Sequence, residues 1–112
     1  MNADARSGIR IRSEDRRILR KLGLDRFVDG HYYRYFTVMT KEALEEEGVK
    51  NPTISDFIAK LSEILHPHLM KNPSISRKLL ELSPEERNET VLILSLAITQ
   101  RAIREKLVKV RG

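Results

Sequence analysis

"SPEERNETVLILSLAITQRAIREKLVKVRG", residues 83–112, is the stretch that decides the fold. Ser83-Pro84-Glu85-Glu86 combines an N-cap serine, proline at the first helical position and glutamate at the third. No helix-stopping residue follows until about Val110, which predicts a helix of about 40 Å at 1.5 Å per residue. "VLILSLAI", residues 91–98, is apolar all round except for Ser95, as in a helix buried on several sides. "TQRAIREKLVKVRG" is basic, with Ala102, Ile103, Leu107 and Val110 on one apolar stripe. The expected architecture is all-α: five or six helices packed around this long C-terminal helix, with the stripe as an oligomer contact.

Working outward, "VKNPTISDFIAKLSEIL", residues 49–65, gives a second clear helix. Ile54, Phe57, Ile58, Leu61, Ile64 and Leu65 form one broad apolar face. Its cap is Asn51 with Pro52 behind it, or Thr53 with Asp56 at the third position. Pro67 in "HPH", residues 66–68, should break or kink it. "KNPTIS" at 50–55 recurs as "KNPSIS" at 71–76, which predicts a cap used twice and a short helix through Leu79, Leu80 and Leu82.

Residues 1–12 read as a flexible basic arm carrying Arg6, Arg10 and Arg12, and residues 13–112 as one helical domain. Ser13 is the expected N-cap of a first helix, with Glu14 and Asp15 in the favourable first turn. Gly23 stops that helix, and Leu24 stands where a Schellman motif places its apolar contact. The exposed face carries Arg16, Arg17, Arg20 and Lys21.

"FVDGHYYRYF", residues 27–36, holds five of the six Phe and Tyr residues. Asp29-Gly30 suits a hairpin turn, but no partner strand follows, and an isolated hairpin is marginal in water. The expectation is mostly helix with a kink or loop at Asp29-Gly30. Phe27 and Phe36 should lie inside, and at least one of Tyr33 and Tyr35 should show its ring or hydroxyl. Thr40 then caps a separate short helix, Lys41–Glu47, stopped by Gly48.

Composition narrows the function classes. Cys is absent, so disulfides and thiolate metal sites are excluded, and a reducing cytoplasm is the expected setting. No apolar run reaches the roughly 18 residues a membrane span needs. The opening "MNADARSGIRIR" lacks the apolar core of a signal peptide. A charged fraction of 33% without Cys leans towards a thermophile. The net charge is +5, distributed as +4 over residues 1–35, −3 over 36–70 and +4 over 71–112. Two basic ends can converge on one polyanion.

Walker, dinucleotide, nucleophile-elbow and HExxH patterns are all missing, and no cofactor is expected. His66-x-His68 is two imidazoles without a third ligand nearby. "TKEALEEEGVKNPTISDFIAKL", residues 40–61, has helix–turn–helix proportions. Its exposed face offers Ser55, Asp56, Lys60, Ser62 and Glu63 behind four glutamates, which phosphate repels.

Arg26-Phe27-Val28-Asp29-Gly30-His31-Tyr32-Tyr33 fits Arg-x4-His-x-Tyr, and so resembles the signature of the HEPN ribonucleases, which are small all-α proteins. The resemblance covers eight residues. It implies Arg26 as a phosphate clamp, His31 as acid/base and Tyr33 as its support.

The leading functional expectation is a non-catalytic protein that binds nucleic-acid backbone without sequence readout, as a subunit of a larger nucleoprotein assembly. Its contacts would be Arg10, Arg12, Arg16, Arg17, Arg20, Lys21, Arg26, Arg34, Arg101, Arg104 and Lys109, with Tyr33 and Tyr35 stacking on bases. The alternative is a helical scaffold that self-associates through its C-terminal helix, with no nucleic-acid role; the ribonuclease comes third.

Overall fold

The computed structural model describes residues 9–110. Arg6 and the beginning of the arm lie outside them. Among the described residues five α-helices follow one another: α1 (Ser13–Lys21), α2 (Tyr32–Glu46), α3 (Ile54–Met70), α4 (Pro73–Leu80) and α5 (Pro84–Arg104), with a 3-10 turn at Asp25–Phe27 between α1 and α2. There is no strand among the described residues. The all-α bundle around the C-terminal helix therefore stands. α2 and α3 pack on each other and on α5, and α1 and α4 lie against α5 from outside.

α5 is central because its sequence is apolar on nearly every side. Val91, Ile93, Leu94, Ala97, Ile98 and Ala102 are all buried, against Phe36, Phe57, Leu61, Leu65 and Leu69 in the same core. Of the polar residues it buries, Ser95 Oγ donates to Val91 O and meets Ser62 Oγ at 2.7 Å, Thr90 Oγ1 donates to Glu86 O, and the Thr99 hydroxyl has no hydrogen-bond partner among the described residues.

The helix starts follow local chemistry. Ser83 Oγ accepts from Glu86 N, and the Glu86 carboxylate accepts from Ser83 N, each at 3.1 Å. Thr53 and Asp56 make the same reciprocal pair at the head of α3. Asn72 caps α4 by accepting from Ser74 N and Ile75 N. The two "KNP" copies thus begin their helices differently, the first at Thr53 and the second at Asn72. In α1 the cap position falls on Arg12 instead of Ser13, and Asp15 accepts from Arg12 N at 3.1 Å.

Three expectations are corrected. Thr40 does not start a helix: α2 runs unbroken from Tyr32 to Glu46, and the Thr40 hydroxyl donates to Phe36 O at 2.7 Å. Pro67 does not end α3. The ring removes one backbone donor, but Leu65 and Leu69 on either side are fully buried and hold both turns to the core.

Third, α5 stops at Arg104, after 21 residues or about 31 Å. Lys106 adopts φ +59°, Lys106 N bonds to Ile103 O, and Leu107 N bonds to Ala102 O. That is a Schellman stop with lysine where Gly23 (φ +73°) closes α1. The left-handed conformation costs a non-glycine residue about 1 kcal/mol. Burial of Val108 and partial burial of Leu107 and Val110 offset it. The apolar stripe expected on an extended helix is instead folded back on the core.

At the end of the arm one residue reaches the core. Ile9 is buried, and its carbonyl accepts from Gln100 Nε2 at 3.1 Å.

Candidate nucleic-acid interface

On α1, Leu19 and Asp15 face the interior. Arg16 and Arg20, and Arg17 and Lys21, are neighbours four residues apart on the outer side, so all four exposed cations occupy one contiguous arc. None of the four forms an ion pair among the described residues. Arg12 does: it pairs with Asp15 at 3.4 Å. Arg10 and Arg26 are exposed, and the Arg26 guanidinium lies over the Phe27 ring, 5.1 Å from its centroid.

Gln100 joins the two basic ends of the chain. It is buried on α5, donates to Ile9 O, and accepts a 3.4 Å bond from Arg16 Nη2. The cationic helix is thereby seated against the half of α5 that ends in Arg101 and Arg104. Gln100 was not among the residues expected to matter. A glutamine two residues past the apolar run 91–98 was the available signal, because a buried amide requires partners.

Arg101 belongs to a different constellation. Its Nη1 meets Asp29 Oδ1 at 2.7 Å, and its guanidinium lies over the Tyr33 ring, 4.6 Å from the centroid. Glu105 stands 3.9 Å from its Nε. Arg101 is only 27% exposed on its side chain and is neutralised, so it is withdrawn from the expected phosphate-binding set. Tyr33 is withdrawn too: at 2% exposure it is core, and no base can reach its ring. Its hydroxyl accepts from Arg34 Nε at 3.2 Å. That bond to Tyr33 holds the Arg34 guanidinium above its ordinary pKa, and Asp15 does the same for Arg12. Neither shift changes the charge at neutral pH, because arginine stays protonated.

Of the two tyrosines expected to stack, Tyr35 is the accessible one, at 52% exposure and edge-to-face with Phe36, and Tyr32 is exposed beside it. Phe27 and Phe36 are buried, as expected. Arg34, Arg104 and Lys109 are exposed. Of the ribonuclease-like residues, Arg26 sits on the 3-10 turn and His31 is exposed just before α2, while the Tyr33 hydroxyl is engaged by Arg34.

No group of three or more His, Cys, Asp or Glu side chains among the described residues can hold a metal ion. His66 and His68 both lie within α3, where residues two apart do not share a face. His68 stacks edge-on against Phe36, with centroids 4.9 Å apart. No helix among the described residues is long and apolar enough to cross a membrane. No protein-family model, curated protein or solved structure matches this chain.

Proposed function

We propose that this is a non-catalytic protein that binds nucleic-acid backbone in the cytoplasm, within a larger assembly. The observation that carries the reading is the unpaired arc of Arg16, Arg17, Arg20 and Lys21, seated through Gln100 on the basic end of α5. Four adjacent guanidinium and ammonium groups, none of them in an ion pair among the described residues, suit phosphates, with Glu86 and Glu89 near Lys21, and their spacing on one helix reads no base edge. Arg10, Arg26, Arg34, Arg104 and Lys109 add exposed cations, and Tyr35 supplies one ring for an unpaired base.

The test is a titration with single- and double-stranded DNA and RNA over a range of salt. Each neutralised phosphate contributes a slope of about −0.9 to the plot of log affinity against log salt on duplex DNA, so the four cations of the arc alone give roughly −3.6. Arg16→Ala, Arg17→Ala and Arg20→Ala together should flatten that slope. A slope near zero in the parent protein sinks the reading. RNA cleavage lost in His31→Ala would establish the ribonuclease instead.

A second reading rests on Tyr32, Tyr35 and Val38, an exposed apolar stripe along α2. Such a stripe suits a protein partner or a second copy of the chain. Residues 103–110 no longer offer that seam, being folded against the core. A dimer in solution that Val38→Glu dissociates, without any affinity for nucleic acid, would favour this reading.

A further inference from the structure

We propose that the cleft between the end of α2 and the chain reversal after α5 is a binding site for a phosphomonoester carried on a compact apolar body. The cleft has a volume of about 360 Å³, within the range of small-ligand sites. Four lysines line it, Lys41, Lys50, Lys106 and Lys109, against one carboxylate, Glu45. They come from two segments distant in sequence, residues 41–50 and 106–109, and the turn at Lys106 brings them together. Lys41 Nζ donates to Leu107 O at 3.1 Å, which fixes one ammonium at the wall and leaves it two further donors. Lys50, Lys106 and Lys109 form no ion pair among the described residues.

Like charges gathered in a concave site raise the local positive potential and attract anions. Lysines act there as separate point charges, which suits the three oxygens of a phosphate dianion better than a planar carboxylate. The floor is apolar, formed by Leu44, Val49, Leu107 and Val108, so a bare phosphate leaves it unfilled. The ligand class follows from both halves: phosphate among the lysines, an apolar body on the floor. This site is separate from the α1 arc, and it stands or falls independently of the nucleic-acid reading.

Lys106 supplies an unusually clean test. Its backbone already occupies the left-handed region at φ +59°, which glycine adopts without cost. Lys106→Gly therefore removes a cation while favouring the turn that builds the cleft. Calorimetric titration of the full chain with phenyl phosphate, phenol and inorganic phosphate should show the ester binding most tightly and phenol not at all. Lys106→Gly and, separately, Lys50→Ala should each weaken phenyl phosphate about tenfold, the loss of one charge-assisted contact. Lys106→Gly should melt no lower than the parent. A 5′-phosphorylated trinucleotide separates two sources: tighter binding than phenyl phosphate assigns the site to a strand terminus, equal or weaker binding to a small metabolite. Unchanged affinity in both variants, or phenol binding as well as its ester, overturns the proposal. Inorganic phosphate binding as tightly as the ester overturns the role of the apolar floor.

Discussion

Arg101 and Asp29, 72 residues apart in sequence, meet at 2.7 Å, and the same guanidinium covers the ring of Tyr33. The pair closes the loop before α2 onto α5. Its carboxylate is 70% exposed, so the ion pair itself contributes little. The guanidinium also packs on a buried ring, a contact of about 1 kcal/mol. Arg101→Ala should therefore cost about 1–2 kcal/mol in urea unfolding, and Asp29→Asn no more than about 1 kcal/mol. Arg101→Ala should leave the salt slope of nucleic-acid binding unchanged. A flattened slope would return Arg101 to the interface.

The two tyrosines on α2 should separate stability from binding. Tyr33 is buried, and Tyr33→Ala should cost about 3–5 kcal/mol, as truncating a buried aromatic does. Tyr35→Ala should change the melting temperature little, and should weaken single-stranded binding by about 1–3 kcal/mol if its ring stacks on a base. Thermal melts and titrations on both variants decide it. A Tyr35→Ala protein as unstable as Tyr33→Ala would show that the whole cluster is core.

Pro67 sits exposed inside α3 and removes one helical hydrogen bond. Pro67→Ala restores the donor, while giving the unfolded chain more freedom. The net expectation is a gain of about 1–2 kcal/mol, measured by chemical denaturation. A loss would mean that the distortion at Pro67 is needed for Leu65 and Leu69 to reach the core together.

Acid should weaken the start of α5. Hydrogen bonds from the backbone and side chain of Ser83 hold the Glu86 carboxyl below its ordinary pKa. A group depressed in the folded state stabilises above its unfolded pKa, about 4.3 for Glu, and loses that contribution as pH falls through the folded value. The stability difference between the parent and Glu86→Gln should therefore be constant near neutrality and shrink below about pH 4.3. A difference that does not change with pH would show that the bond is made equally well by the neutral side chain.

Much of the helix pattern was legible because caps and stops are local. Ser83 with Glu86 and Gly23 with Leu24 act within a few residues and appear in the structure where the sequence places them, and Thr53 with Asp56 is one of the two caps the sequence offers for α3. The exposed cations of α1 were legible for the same reason, since helical spacing alone puts Arg16, Arg17, Arg20 and Lys21 outside once Leu19 is inside. Arg101 was not separable from Arg104 on that basis. Both are cations on one basic stretch, and only a carboxylate 72 residues away distinguishes them.

By itself, then, the sequence determined an all-α chain, the cap of α5 and α5 as the buried axis, because these follow from residue type and periodicity. Tertiary structure decided where α5 ends, whether Pro67 interrupts α3, which tyrosine is core, and that four lysines share a cleft. Each of these depends on contacts between distant segments. Lys106 carries no stop signal of its own, and the burial of Val108 and Leu107 against the bundle outweighs about 1 kcal/mol of backbone cost. Lys41 and Leu107 are 66 positions apart, and no periodicity brings such a pair together; only the packed core does.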